Sequence, residues 1–387
     1  MSLDVTALSQ ALIRCPSVTP EDAGALGVLE AALIPLGFAC KRLRFEAPDT
    51  APVENLYARI GVDAPHFCFA GHTDVVPVGD RAQWKHDPFG GEIADRVLYG
   101  RGAADMKTAI AAFAGAAARH LAKGKLKGSI SLLITGDEEG IAINGTKKML
   151  AWLTEAGQRL DHCIVGEPTS SAQSGDTLKI GRRGSINFRV AVRGIQGHVG
   201  YPHRALNPIP ILAMLVNRLA GEPLDNGTAH FEPSTLAFTS IDVGNDATNV
   251  IPAEAVARFN IRFNDLHTPD TLKLRIESAA KNVADEMGGE ISVTAQTSGI
   301  AFLTLPGPFT ELVANAVEKV TGRRPEFSTT GGTSDARFIK EHCPVAELGL
   351  SGTTMHKVDE CMPVAEIERL TDIYESVLNH YFANPPK

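Results

Sequence analysis

No two cysteines in this chain stand close enough to make a Cys-x-x-Cys pair; the six present (Cys15, Cys40, Cys68, Cys163, Cys343, Cys361) are scattered over 387 residues. Neither a thiolate zinc site nor a disulfide framework is suggested, so a metal would have to use His and carboxylate ligands. No apolar run approaches the roughly 20 residues that a membrane span needs. The N-terminal Met-Ser-Leu-Asp-Val-Thr has no basic stretch followed by an apolar core, so no secretory leader is expected and a cytoplasmic location is. Positive charge is in deficit, with 37 Lys and Arg against 45 Asp and Glu, and the formal net charge of −8 leaves no electrostatic footprint for nucleic acid. An anionic substrate must then be bound by local arginines against the global field. Internal repeats and low-complexity tracts are also missing.

What is present is an ordinary globular composition, 44% hydrophobic and 21% charged, at a length that argues for two domains or one large domain with an insertion. The first 180 or so residues alternate helical and strand patterns. A helix is expected near Glu21 to Leu36, strands at His66 to Ala70, Ser129 to Thr135 and His162 to Val165, and helices at Met106 to Leu121 and Thr146 to Glu155. Such alternation predicts an α/β domain whose mixed, largely parallel sheet is covered by helices, with ligands bound past the carboxyl ends of the strands. From Gly184 the order becomes strand, helix, strand, strand, helix, strand (Ser185 to Val192, Pro208 to Leu219, Thr235 to Val243, Ala255 to Phe263, Pro269 to Met287, Glu290 to Gln296). That βαββαβ order is the ferredoxin-like unit. After Pro306 the chain resumes helix, strand, helix at Phe309 to Thr321, Val345 to Leu348 and Ala365 to Phe382. The expected organisation is one domain of 1–183 and 297–387 interrupted by a second of 184–296.

Acids and histidines recur at the strand ends of the interrupted domain. His72 and Asp74 in Gly-His-Thr-Asp are two residues apart, so an extended segment puts both side chains on one side. His72 reads as a ligand and Asp74 as the carboxylate that orients its imidazole. Asp105, in Tyr-Gly-Arg-Gly-Ala-Ala-Asp-Met-Lys, precedes an Ala-rich helix, where it could serve as an N-cap or bridge two cations. Glu138 and Glu139 are adjacent acids beyond a buried strand, and their repulsion is resolved if a cation lies nearby. One of them can bind metal while its neighbour handles protons. Glu167 in Val-Gly-Glu-Pro-Thr and His356 in Thr-Thr-Met-His-Lys complete a mixed N/O set suited to zinc, or to cobalt or manganese in its place. Two ions sharing Asp105 would use every ligand, each taking one His and one Glu.

Taken together with Gly-His-Thr-Asp-Val-Val-Pro, Gly-Arg-Gly-Ala-Ala-Asp-Met-Lys, Asp-Glu-Glu-Gly and Gly-Glu-Pro-Thr, the late His356 gives a pattern that resembles the dizinc aminoacylase and carboxypeptidase metallopeptidase family. Arg182 to Ser185 (Arg-Arg-Gly-Ser), Gly194 to His203, Thr248 to Glu254 and Thr330 to Asp335 are similar to one subgroup of it, and the likeness runs nearly the whole chain in order. The resemblance implies one zinc held by His72 and Glu167, the other by Glu139 and His356, and Asp105 between them, with cobalt able to substitute. It implies that Glu138 is the general base and that His198, on the inserted domain, reaches the active site of the other subunit of a homodimer formed through that insertion. The reaction it implies is hydrolysis of N-succinyl-L,L-2,6-diaminopimelate to succinate and L,L-2,6-diaminopimelate. Arg182, Arg183 and Arg262 are the natural forks for the substrate's three carboxylates. Ser185, Tyr201, Asn249, Gly332 and Thr333 lie in or beside the matching segments and are expected to contact substrate as well.

The chain departs from that pattern at Gly352, where the subgroup is expected to carry Asn, and at Thr108, where Gly is common after Asp-Met-Lys. Neither position is a metal ligand. Two other activities fit the same family, removal of a different N-acyl group (as from acetylornithine) and dipeptide hydrolysis. A noncatalytic metal-stabilised dimer is the reading from another class, and the intact Glu138 argues against it, since a scaffold needs ligands but no general base.

Overall fold

Residues 3–386 are described by a computed structural model, in which the chain divides into two compact units. The first comprises residues through Ile180, Thr304–Ser328 and Ser334 onward; the second comprises Gly181–Leu303 and Thr329–Thr333. The division falls outside the expected limits of 184–296 because two short strands, Gly181–Arg182 and Phe302–Leu303, pair antiparallel and join the second unit.

The first unit is built on an eight-stranded mixed sheet. Its order is Ala39–Phe45, Val53–Ile60, Ser129–Thr135, His66–His72, His162–Val165, Val345–Glu347, Thr177–Lys179, Glu326–Ser328. The four central strands, from Ser129–Thr135 to Val345–Glu347, run parallel. Every residue of His66–His72 and Ser129–Thr135 is buried, which is why these stretches read as continuous apolar runs: a sheet covered on both faces has no solvent side to mark by alternation. The covering helices include Lys107–Ala122, whose alanines let it lie close to the sheet and to the final helix Val364–Ala383. Phe69 stacks on Phe113 at 4.3 Å between ring centres, and Phe67 meets Tyr381 edge-on at 4.9 Å.

The helix expected at Glu21 to Leu36 is shorter, Ala25–Leu33. Asp22 accepts the N–H groups of Gly24 and Leu26, Gly24 sits at φ 88°, and Pro35 falls in a closing 3-10 turn. The helix Val5–Ile13 and the antiparallel pair Ala39–Phe45 with Val53–Ile60 have no counterpart in the sequence reading.

The second unit is the βαββαβ sandwich expected. Its antiparallel sheet has the order Thr235–Asp242, Glu254–Phe263, Gly184–Arg193, Glu290–Gly299, and the helices Pro208–Gly221 and Pro269–Met287 complete the motif. Phe188, Val190, Phe259 and Ile261 from the strands close a core with Leu215, Leu272 and Ile276 from the helices, all essentially buried. Burial of each such side chain contributes about 1.5–3 kcal/mol, so this unit has an apolar core of its own. Among the described residues no helix is long and apolar enough to cross a membrane.

Candidate metal centre

All seven acids and histidines singled out in the interrupted domain lie in the first unit. His72 is the last residue of its strand and is buried. Its neighbour Gly71 packs tightly on the residue that follows Asp105: a Cβ there would lie 2.4 Å from Met106 Cε, so any larger residue needs the Met106 side chain to move. Close packing at Gly71 thus brings the His72 and Asp105 segments together. Asp105 does not cap the helix after it, which begins at Lys107 with Met106 in the cap position and no side-chain cap.

The ligand atoms form two overlapping groups. His72, Asp105 and Glu167 make one; Asp105, Glu139 and His356 make the other; within each, the donor atoms lie within 4.8 Å of one another. His72 Nε2 is 3.2 Å from Asp105 Oδ1 and 3.7 Å from Glu167 Oε1. His356 Nε2 is 3.4 Å from Asp105 Oδ2 and 2.8 Å from Glu139 Oε1. Each imidazole therefore addresses a different oxygen of the same aspartate. Two imidazoles and three carboxylates in this arrangement fit a pair of divalent cations sharing Asp105.

Asp74 orients His72 in a way its spacing alone does not reveal. The 2.9 Å contact of His72 Nδ1 is to the main-chain carbonyl of Asp74, which can only accept, so Nδ1 carries the proton and Nε2 is left as the ligand atom. The Asp74 carboxylate, 3.6 Å from Nδ1, instead accepts the backbone N–H groups of Glu138 at 3.3 Å and Glu139 at 3.0 Å. One residue thus fixes both the histidine and the turn bearing the two glutamates. Asp137, not singled out above, holds the far side of that turn by accepting from the N–H groups of Ile143 and Asn144, both at 2.8 Å.

The electrostatics are those of a site short of positive charge. Burial would lower the His72 pKa, but Asp105, Glu167 and Asp74 outweigh it and hold it well above the usual imidazole value. Hydrogen bonds to Asp105 and Glu139 raise His356 to about 10. Burial opposes ionisation of Asp105, yet His356 and His72 keep it below the ordinary carboxylate range. Glu138 is pushed well up by burial and by Glu167, with Asp335 and Glu139 adding to the effect. Buried Asp335 closes the Thr-Gly-Gly-Thr-Ser-Asp segment, and its acid is raised mainly by burial. Cations would relieve all of these conflicts together.

The remaining singled-out residues fall in the second unit, in two groups. Arg182 is buried and donates from Nη1 to the carbonyl of Gly332 at 3.0 Å, beside Thr333. Ser185 is the cross-strand partner of Arg262 and accepts from Asn260 Nδ2 at 3.0 Å. Burial, then the charge of Arg183, lowers the Arg262 pKa. The second group is at the short strand Gly197–His198, which pairs with Val250–Ile251. His198 is exposed, its ring centre is 5.8 Å from that of Tyr201, and the N–H of Val199 donates to the Asn249 carbonyl at 3.1 Å.

Comparison with known proteins agrees with this picture. Residues 68–380 match the description of Peptidase family M20/M25/M40. A succinyl-diaminopimelate desuccinylase of Rhodospirillum centenum is 59% identical over 384 residues, covering 99% of this chain and 98% of that protein. The fold is shared with aminopeptidase PepT from Bacillus cereus, at a TM-score of 0.80 and 20% identity over 98% of each chain. A dinuclear metal binding peptidase from the M20 family, of Bacillus subtilis, superposes at a TM-score of 0.72 and 16% identity, covering 97% of this chain and 96% of that one. With a family match that takes in every candidate ligand from His72 to His356 and a relative nearly sixty per cent identical end to end, the chain belongs to Peptidase family M20/M25/M40.

Proposed function

We propose that the chain is a metal-dependent amidohydrolase that cleaves N-succinyl-L,L-2,6-diaminopimelate to succinate and L,L-2,6-diaminopimelate, a step toward lysine and cell-wall precursors. The observation that carries the hydrolase reading is the pair of three-donor groups sharing Asp105, with Glu138 beside them. The acyl group and the diamino acid are supported by the relative's name and its 59% identity.

In this reading His72 and Glu167 would hold one zinc and Glu139 and His356 the other, with Asp105 available to both, and cobalt could substitute. When bound, such ions polarise the substrate carbonyl and lower the pKa of water at the site toward about 7. Glu138 takes a proton from the attacking water and delivers it to the leaving amine. Asp74 keeps Glu138 and Glu139 in place through their backbone N–H groups while its carbonyl fixes the His72 tautomer. Arg182, Arg183 and Arg262 bind substrate carboxylates, with Ser185, Gly332 and Thr333 as neighbours in the same unit. The adjacent charges of Arg183 and Arg262 favour an anion there. His198, flanked by Tyr201 and Asn249, is assigned to the oxyanion of a partner subunit's site, in a homodimer formed through the second unit and working in the cytoplasm.

The test is release of succinate against acetate from the N-succinyl and N-acetyl forms of the same diamino acid, with zinc present. Faster succinate release supports the assignment. Preference for the acetyl substrate would move the chain to another N-acyl amino acid deacylase, a shift for which Gly352, in place of the expected Asn, offers a cause.

A further inference from the structure

Two buried residues outside the ligand set join three of the segments that carry it. Arg101 and Glu360 form an ion pair, Nη1 to Oε2 at 2.6 Å, with both side chains essentially inaccessible. The other oxygen of Glu360 accepts three N–H groups of one loop, from Gly102 at 3.1 Å, Ala104 at 2.8 Å and Asp105 at 3.2 Å. The Asp105 loop is thereby wrapped around one carboxylate oxygen. Arg101 reaches out of the pair in two directions, from Nη1 to the carbonyl of Lys357 at 3.2 Å and from Nη2 to that of Pro77 at 3.4 Å. Lys357 follows His356, and Pro77 closes the Gly-His-Thr-Asp-Val-Val-Pro segment that begins beside His72.

We infer that Arg101 and Glu360 are a positioning pair that sets the spacing of the His72, Asp105 and His356 segments and so tunes metal affinity. The inference rests on the dinuclear reading above. A buried ion pair is weak as a source of net stability, because desolvation offsets much of the attraction. What this pair supplies is geometry: one guanidinium fork and one carboxylate tie the three segments to a common point. The His356 segment needs such restraint, since His356 and Asp359 both adopt left-handed backbone, φ 61° and 53°, which costs a non-glycine residue energy and persists only where its surroundings enforce it. Asp359 is held in turn by the N–H of Lys85 at 2.8 Å. Trp84, next to Lys85, lies under the Arg101 guanidinium at 5.2 Å.

The experiment compares the metal-free wild-type chain with Arg101→Lys and Glu360→Gln. The first substitution leaves an ammonium that can meet Glu360 but cannot span the two carbonyls, and the second leaves an acceptor without the charge. Each is titrated with zinc by calorimetry, its apoprotein melting temperature is recorded, and its kcat and KM are measured at limiting and excess zinc. The expected result is two zinc equivalents in the wild type, at least about tenfold weaker binding of one or both in the folded variants, and recovery of kcat by excess zinc at unchanged KM. Folded variants that titrate like the wild type overturn the inference, including variants whose only defect is a lower melting temperature. Should Glu360→Gln fail to fold, Arg101→Lys, which keeps the charge and the three N–H contacts, decides alone. A wild-type chain that takes up no zinc would overturn the functional reading itself, and this inference with it.

Discussion

His356 Nε2 and Glu139 Oε1 lie 2.8 Å apart although 217 positions separate them in sequence. In the metal-free protein this histidine, with its pKa raised to about 10, joins His72, also raised, as a cation facing the carboxylates. A metal ion must displace its proton. Zinc uptake near pH 7 is therefore expected to reach two equivalents and to release protons, and affinity should fall as pH falls, by up to about tenfold per unit for each proton displaced. Calorimetry in buffers of different ionisation enthalpy measures the release; saturation at one equivalent with full activity would refute the dinuclear site.

Glu138→Gln should bind zinc as the wild type does and lose turnover by about 10²-fold or more, with the loss in kcat. Gln keeps the shape and removes the proton acceptor. Near-normal kcat in the zinc-loaded variant would assign the base to another residue.

A pH effect independent of the metal is expected from His66, at the start of the His72 strand. Its Nδ1 donates to the Arg159 carbonyl and its Nε2 meets the Ser131 hydroxyl, both at 2.8 Å. Burial lowers its pKa from 6.5 to about 4. Below pH 6.5 the unfolded chain gains a proton that the folded form refuses until about pH 4, so stability is full above this window and declines through it, by up to roughly 3 kcal/mol. Urea unfolding of the apoprotein at pH 7 and pH 5 should show a loss larger by about 2 kcal/mol in the wild type than in His66→Gln. Equal losses would show that His66 does not carry the effect.

The trans assignment of His198 predicts complementation between two inactive variants. His198→Ala and Glu138→Gln each lack one component, and a mixed dimer in which His198 serves the partner's site contains one intact site. Activity should reappear on subunit exchange verified by mass. Continued silence after verified exchange would return His198 to its own chain or remove it from the chemistry.

Legibility followed burial. The strands at Ser129–Thr135 and His162–Val165 can be read from their apolar runs, and His72, Glu138, Glu139 and Glu167 stand out as candidate site residues by their places at or just past strand ends. Ala39–Phe45 is not legible, because an edge strand reading Ala-Cys-Lys-Arg-Leu-Arg-Phe buries only Leu43 and looks like a charged loop. Its partner strand hides a polar anchor: Asn55 is buried and donates to the carbonyls of Leu43, Val53 and Asn144, contacts that only the folded chain supplies. Arg101 and Glu360 are hidden for a similar reason. Their meaning lies in a pairing across 259 positions, and each alone reads as a surface charge. The dual use of Asp74 is likewise concealed, since side-chain spacing carries no information about which carbonyl an imidazole will meet.

The second unit is nearly continuous in sequence, whereas the first needs residues on both sides of it. During synthesis, Gly181–Leu303 emerges and can close its core while the eight-stranded sheet still lacks Val345–Glu347 and the ligand set still lacks His356. The unit translated in the middle thus has its core residues together early, whereas the sheet of the N-terminal half lacks an interior strand until Val345–Glu347 has been made. A truncation that removes everything from Val345 onward would leave a well-folded middle attached to an unfinished, metal-incompetent sheet.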